Sequence, residues 1–246
     1  MTLLDCALAY LHAGLCVLPA RVATKHPALP EWKSYRRALP TEAQVRMWFG
    51  NAEALCLLTG RASGQLEVLD FDCAGDCVAA WSQLIQEYAP DLWAKLTVVR
   101  TPSGGCHVLY QSHSSVPGST KLASRDTETP NGDEVTLYGK RYKPRWNNGR
   151  WIVTLTLIET KGEGGLVLSA PSPGYTLERG SIENLPILTD AEREVLVSAA
   201  RSLNEVPPAP EPVRLSPAEN QGRPGDDFNQ RGDIREVLLK HGWTLA

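Results

Sequence analysis

No stretch of this 246-residue chain is long and uninterruptedly apolar, so no segment reads as a membrane span. The N-terminus, Met1-Thr2-Leu3-Leu4-Asp5, lacks the basic flank and long apolar core of a signal peptide, and a cytoplasmic location is the expectation. No C-x-x-C pair occurs. Cys73 and Cys77 are the one close pair among six scattered cysteines, so structural zinc is not expected. Cys6, Cys16 and Cys56 lie in apolar runs and are expected to pack as small hydrophobes. The net charge is only −3, which argues against a basic coat for non-specific DNA binding but leaves room for a local basic groove. Internal repeats are missing. So is any G-x-x-x-x-G-K-[ST] motif, which excludes an ATPase motor within this chain.

What is present suffices for one large domain or two small ones, since 42 % apolar residues can bury a sizeable core. Leu4, Leu8 and Leu11 share a helical face over Thr2 to Ala13, with Gly14 as a stop. Leu15 to Leu18 reads as a buried strand ending at Pro19. Thr41 with Gln44, and Thr189 with Glu192, are capping boxes that open helices. Ala54 to Leu58, the run through Asp70, Lys95 to Arg100, Cys106 to Tyr110 and Leu166 to Ser169 read as strands, and Asp76 to Tyr88 as a helix. Gln111 to Asp133 is polar and reads as a loop or insertion. Glu134 to Tyr138 and Trp151 to Glu159 are expected to pair as a hairpin around a basic tip. From 205 to 224 the composition turns proline-rich, as in a linker. Residues 225 to 246 then carry a short amphipathic helix, too small for a core of its own. The domain reading is therefore 1–204 as one domain, 205–224 as linker and 225–246 as the start of a following module.

Three elements could carry chemistry. In Gln65-Leu66-Glu67-Val68-Leu69-Asp70-Phe71-Asp72, strand alternation points Asp70 and Asp72 one way and Leu69 and Phe71 the other. Two adjacent carboxylates repel unless a cation lies between them, and a divalent metal ion is a common answer. A solvated strand end is the plainer alternative. In Arg100-Thr101-Pro102-Ser103-Gly104-Gly105-Cys106-His107, the glycines allow close backbone approach to a ligand. Ser103, His107 and Arg100 offer donors to phosphate oxygens. A tight turn before a core histidine is the plainer alternative. In Glu159-Thr160-Lys161-Gly162-Glu163-Gly164-Gly165, a third acid precedes a lysine and glycines, which a Gly-rich turn also explains.

In this order, the three elements resemble the bifunctional primase/polymerase (prim-pol) family of the archaeo-eukaryotic primase superfamily. Gly14 to Pro19, Lys25-His26-Pro27 with Trp32, Thr59-Gly60, and Pro171-Ser172 with Tyr175 also match, so the resemblance covers roughly Leu3 to Tyr175. It implies an α+β fold, with a central mixed or antiparallel sheet flanked by helices. It implies that Asp70, Asp72 and Glu159 hold two Mg²⁺ or Mn²⁺ ions. Arg100, Ser103, Gly104, Gly105, His107 and Lys161 would bind the triphosphate of an NTP or dNTP, with His107 counted among the catalytic groups. The implied activity is template-dependent nucleotidyl transfer on single-stranded DNA, in replication of a phage, plasmid or mobile element, with a helicase module in the same parent protein or in trans. The family's third acid is more often aspartate, and the stretch from His107 to Glu159 is long for the family, so 111–150 is read as containing an insertion. There, Lys140, Arg141, Tyr142, Lys143, Arg145 and Trp146 mix cations with aromatics, as single-strand binding requires. A solvated hairpin tip explains the same residues. A metal-dependent nuclease and a non-catalytic DNA-docking module are the rival readings.

Overall fold

A computed structural model of the chain describes residues 2–206. The proposed helical segment at 225–246 and nearly all of the proposed linker lie outside the described residues. Helix α1 (Leu3–His12) opens on Thr2, whose side chain and that of Asp5 cap each other's backbone N–H. Its most buried residues are Cys6, Ala7 and Tyr10, while Leu4 and Leu8 are only partly covered. The buried face is therefore centred on Cys6, Ala7 and Tyr10, and of the expected leucine stripe Leu11 alone is buried. Strand β1 (Val17–Ala20) runs through Pro19 rather than stopping at it. It is an edge strand of its sheet, where a missing N–H costs least.

Then follow α2 (Glu42–Trp48), capped by Thr41 and Gln44 as expected, and β2 (Ala54–Leu58), wholly buried. Next come β3 (Leu66–Phe71), α3 (Val78–Tyr88) and α4 (Pro90–Lys95), a short helix with proline at its first position. After these run β4 (Thr97–Arg100), β5 (Cys106–Ser112), β6 (Thr120–Thr129), β7 (Val135–Leu137), β8 (Lys140–Tyr142) and β9 (Arg145–Asn147). The described residues close with β10 (Arg150–Lys161), β11 (Leu166–Leu168), β12 (Thr176–Arg179), β13 (Ile187–Leu188) and α5 (Asp190–Ser202).

The fold is α+β. One sheet has the order β12-β4-β5-β3-β10-β6, with β13 added beside β5 and β9 beside β10. Its pairings are antiparallel except for β13 with β5. A second sheet, β1-β2-β11, has three strands. Strand alternation sorts the core. Leu69 and Phe71 of β3 pack with Trp81 and Ile85 of α3 and Leu196 of α5 on one face of the large sheet. Leu66 and Val68 pack on the other face, with the small sheet and α1. Burial of Leu69 and Phe71, each at about 2 kcal/mol, anchors β3 from the helix side. The opposite face of the same strand is then free to carry polar groups. No helix among the described residues is long and apolar enough to cross a membrane.

Two sequence expectations give way. The polar stretch at 111–133 contains β6, a ten-residue strand paired along β10. It is an edge strand with one side open to water, so it shows little apolar alternation. The hairpin expected between 134–138 and 151–159 forms as two tighter ones. β7 turns into β8 through Tyr138-Gly139, and β9 into β10 through Asn148-Gly149. All four turn residues have positive φ, at 50° and 72° and at 46° and 82°, as a two-residue type I′ turn requires.

Candidate active site

The register of three strands assembles the site. On β3, Asp70 lies directly opposite His107 of β5 on one side and opposite Glu159 of β10 on the other. Cross-strand partners share a face, so all three side chains stand toward the small sheet. Asp72 follows just past the strand, still extended, at φ −85° and ψ −169°. One oxygen from each of Asp70, Asp72 and Glu159 falls within 4.8 Å of the others, and all three residues are half-buried. Like charges directly opposite on a sheet destabilise it unless compensated. Lys161 compensates here, with Nζ 2.5 Å from Glu159 Oε1 and 3.7 Å from Asp70 Oδ2. Lys140 adds a second ammonium, 2.8 Å from Asp72 Oδ1.

These charges set protonation. Burial alone would raise the Asp70 carboxyl. His107 beside it, with Lys161 and Lys140, outweighs burial and holds Asp70 below the ordinary carboxylate value. Burial pulls the Lys161 ammonium down, but Glu159, Asp70 and Asp72 more than offset this and raise it. Both groups therefore stay charged at neutral pH. His107 is buried, with Nε2 3.4 Å from Asp70 Oδ1 and its ring 5.8 Å from that of Tyr175. Its Nδ1 is buried without a hydrogen-bond partner among the described residues. Burial pushes the Tyr175 hydroxyl up to about 12, so it remains protonated.

Together these residues line a cavity of about 550 Å³. That lies within the roughly 300–1,000 Å³ of small-molecule sites. Asp70, Asp72, His107, Glu159 and Lys161 belong to it, with Thr101 and Ser103 of the turn before β5. β11 of the small sheet, Lys25 and the Tyr138-Gly139-Lys140 tip complete the wall.

Not every expected residue arrives. Arg100 neighbours Val99, which pairs with His107, and itself pairs with Cys106. Its side chain therefore leaves by the opposite face, where it meets Glu178. Arg100 does not face the cavity, which corrects its assignment to the nucleotide grip. Gly104 and Gly105 do not line it either. A Cβ on Gly105 would lie 1.9 Å from the Phe71 carbonyl oxygen, so glycine is required for strand contact there. The basic run also divides. Lys140 enters the cavity, whereas Arg141 turns outward to Glu134. Tyr142 is half-buried against the helix-side core, and Lys143 is exposed. Arg145 donates to Thr154, and Trp146, 60 % exposed, meets Trp151 edge-on at 5.2 Å. Thr101 escaped sequence reasoning, although it stands in the same turn as Ser103 and touches its hydroxyl at 3.0 Å.

The family described as bifunctional DNA primase/polymerase, N-terminal, matches residues 7–210. The chain belongs to that family. A search of curated proteins gave no match. Family membership indicates DNA primase/polymerase activity, of nucleotidyltransferase type, on DNA and nucleotides. For a prim-pol domain, the carboxylate cluster is the group that could hold metal: its donors are all oxygens, and hard divalent cations prefer oxygen. Among the described residues, no cysteine joins such a cluster. All six cysteines are free and buried, as the sequence suggested for Cys6, Cys16 and Cys56.

Proposed function

We propose that this chain performs template-dependent primer synthesis and extension, joining nucleotides with release of pyrophosphate. The observation that carries this reading is the cross-strand line His107, Asp70, Glu159 on the floor of one cavity. Asp70, Asp72 and Glu159 would hold Mg²⁺ or Mn²⁺. When bound, such ions supply activation of a 3′-hydroxyl and neutralisation of the triphosphate and departing pyrophosphate.

The chain's own groups do the rest. Lys161 lies between two of the carboxylates and offers a fixed positive charge to phosphate oxygens. Ser103 and Thr101 present hydroxyl donors at the rim. His107 orients against Asp70 and can donate a hydrogen bond to the nucleotide, or a proton to the leaving group. Phosphoryl transfer demands positioning and charge neutralisation above all, so no side-chain nucleophile is required. Strand β9 offers an exposed tryptophan, Trp146, which suits stacking against a single-stranded template.

The test is a synthesis assay on the full chain, with primed and unprimed single-stranded DNA and each nucleotide set, in Mg²⁺ or Mn²⁺. Products that lengthen with time and vanish with EDTA are expected. His107→Ala should slow them on the order of 10²–10³-fold, the usual effect of losing one transition-state contact. Template shortening without synthesis would favour a nuclease, and DNA binding without turnover a docking module.

A further inference from the structure

The β7–β8 hairpin pairs with no other strand among the described residues. A two-stranded hairpin is marginal by itself. Val135, Leu137 and Tyr142 rest on the helix-side core. The tip is tied by two polar contacts, Tyr138 hydroxyl to Asp76 at 3.1 Å and Lys140 Nζ to Asp72 at 2.8 Å. The sequence groups Lys140 with a template-binding patch, but the fold separates it from Arg145 and Trp146 and places it over the carboxylates.

We propose that Lys140 is a nucleotide-phosphate contact, delivered into the active site by the hairpin tip, and does not serve the template. The inference rests on the polymerase reading above. Asp72 is both the partner of Lys140 and one of the three carboxylates suited to a divalent ion. A divalent charge on that carboxylate repels an ammonium so close to it. Lys140 then needs a new anion within reach of its flexible stem, and the triphosphate that accompanies the ion is that anion. Lys161 stands on the rigid floor, whereas Lys140 rides on an element held by few contacts.

The experiment is calorimetric titration of the full chain in Mn²⁺, without template, for wild type, Lys140→Ala and Lys140→Arg. The ligands are dATP, dAMP and single-stranded DNA. Lys140→Ala should weaken dATP by about ten- to a hundredfold, the worth of one charge-assisted hydrogen bond. It should leave dAMP and DNA affinity nearly unchanged, and Lys140→Arg should recover much of the loss. With Mn²⁺ alone, Lys140→Ala should bind the ion no more weakly than wild type, because a competing ammonium is gone. Equal dATP affinity in wild type and Lys140→Ala would overturn the inference while leaving the polymerase reading standing. So would a loss shared by dAMP, or one that falls on DNA. If wild type binds no nucleotide, the polymerase reading fails and the inference with it. Lys140→Met keeps the apolar stem and replaces Lys140→Ala should the alanine variant lose its thermal transition.

Discussion

Asparagine at both Asp70 and Asp72 should lower nucleotide incorporation by 10³-fold or more, on the order expected when several kcal/mol of charge stabilisation disappear. The fold should survive. Asparagine preserves side-chain size, and the strand is held from its other face by Leu69 and Phe71 in the helix-side core. Neither lysine is stranded. Lys161 keeps Glu159, and Lys140 is half-exposed and rehydrates. Removing two like charges also relieves the repulsion between Asp70 and Glu159 across the sheet. Steady-state extension together with thermal unfolding separates the two effects. Activity within tenfold of wild type would remove these carboxylates from the mechanism.

The second large effect lies on the reverse side of the same strand. Glu67 is fully buried and is gripped by Arg193 of α5 through two bonds, of 2.6 and 2.9 Å. The Tyr110 hydroxyl donates a third, at 2.8 Å. Arg193→Ala leaves a buried carboxylate with a single hydroxyl partner. Breaking one side of such a pair costs about 3–5 kcal/mol, which in a domain of this size lowers the melting midpoint on the order of 10 °C. Incorporation per folded molecule should stay near wild type, because Glu67 and Asp70 face opposite sides of β3. Replacing Glu67 with glutamine and Arg193 with methionine together should recover part of the loss, since no charge remains uncompensated and the amide oxygen still accepts from the Tyr110 hydroxyl. A shift below about 2 °C for Arg193→Ala would show that the pair does not tie α5 to the sheet.

The sequence disclosed much of this arrangement because the information was local. Capping boxes at Thr41 and Thr189 mark two helix starts to the residue. Alternation from Leu66 to Asp72 tells which side chains share a face, and the structure agrees. What stayed hidden depended on register between strands distant in the chain. Arg100 and His107 flank one turn, and only the pairing of Val99 with His107 reveals that Arg100 faces away. β6 is polar because it lies at an edge. Asn148-Gly149 carried a hairpin signal and Tyr138-Gly139 did not, and the basic residues around them drew both turns into one supposed tip. That misplacement concealed Lys140, whose position over Asp72 follows from the first turn.

The proposed active centre requires carboxylates from separate strands to act as one metal site. Mn²⁺ titration of the full chain, comparing wild type with Glu159→Gln and Asp70→Asn, tests this directly. If the site is shared, Glu159→Gln weakens the ion at least tenfold, as Asp70→Asn does, although the two residues lie on separate strands far apart in the chain. If Glu159→Gln titrates like wild type while Asp70→Asn does not, Glu159 lies outside the metal site and the proposed active centre is wrong.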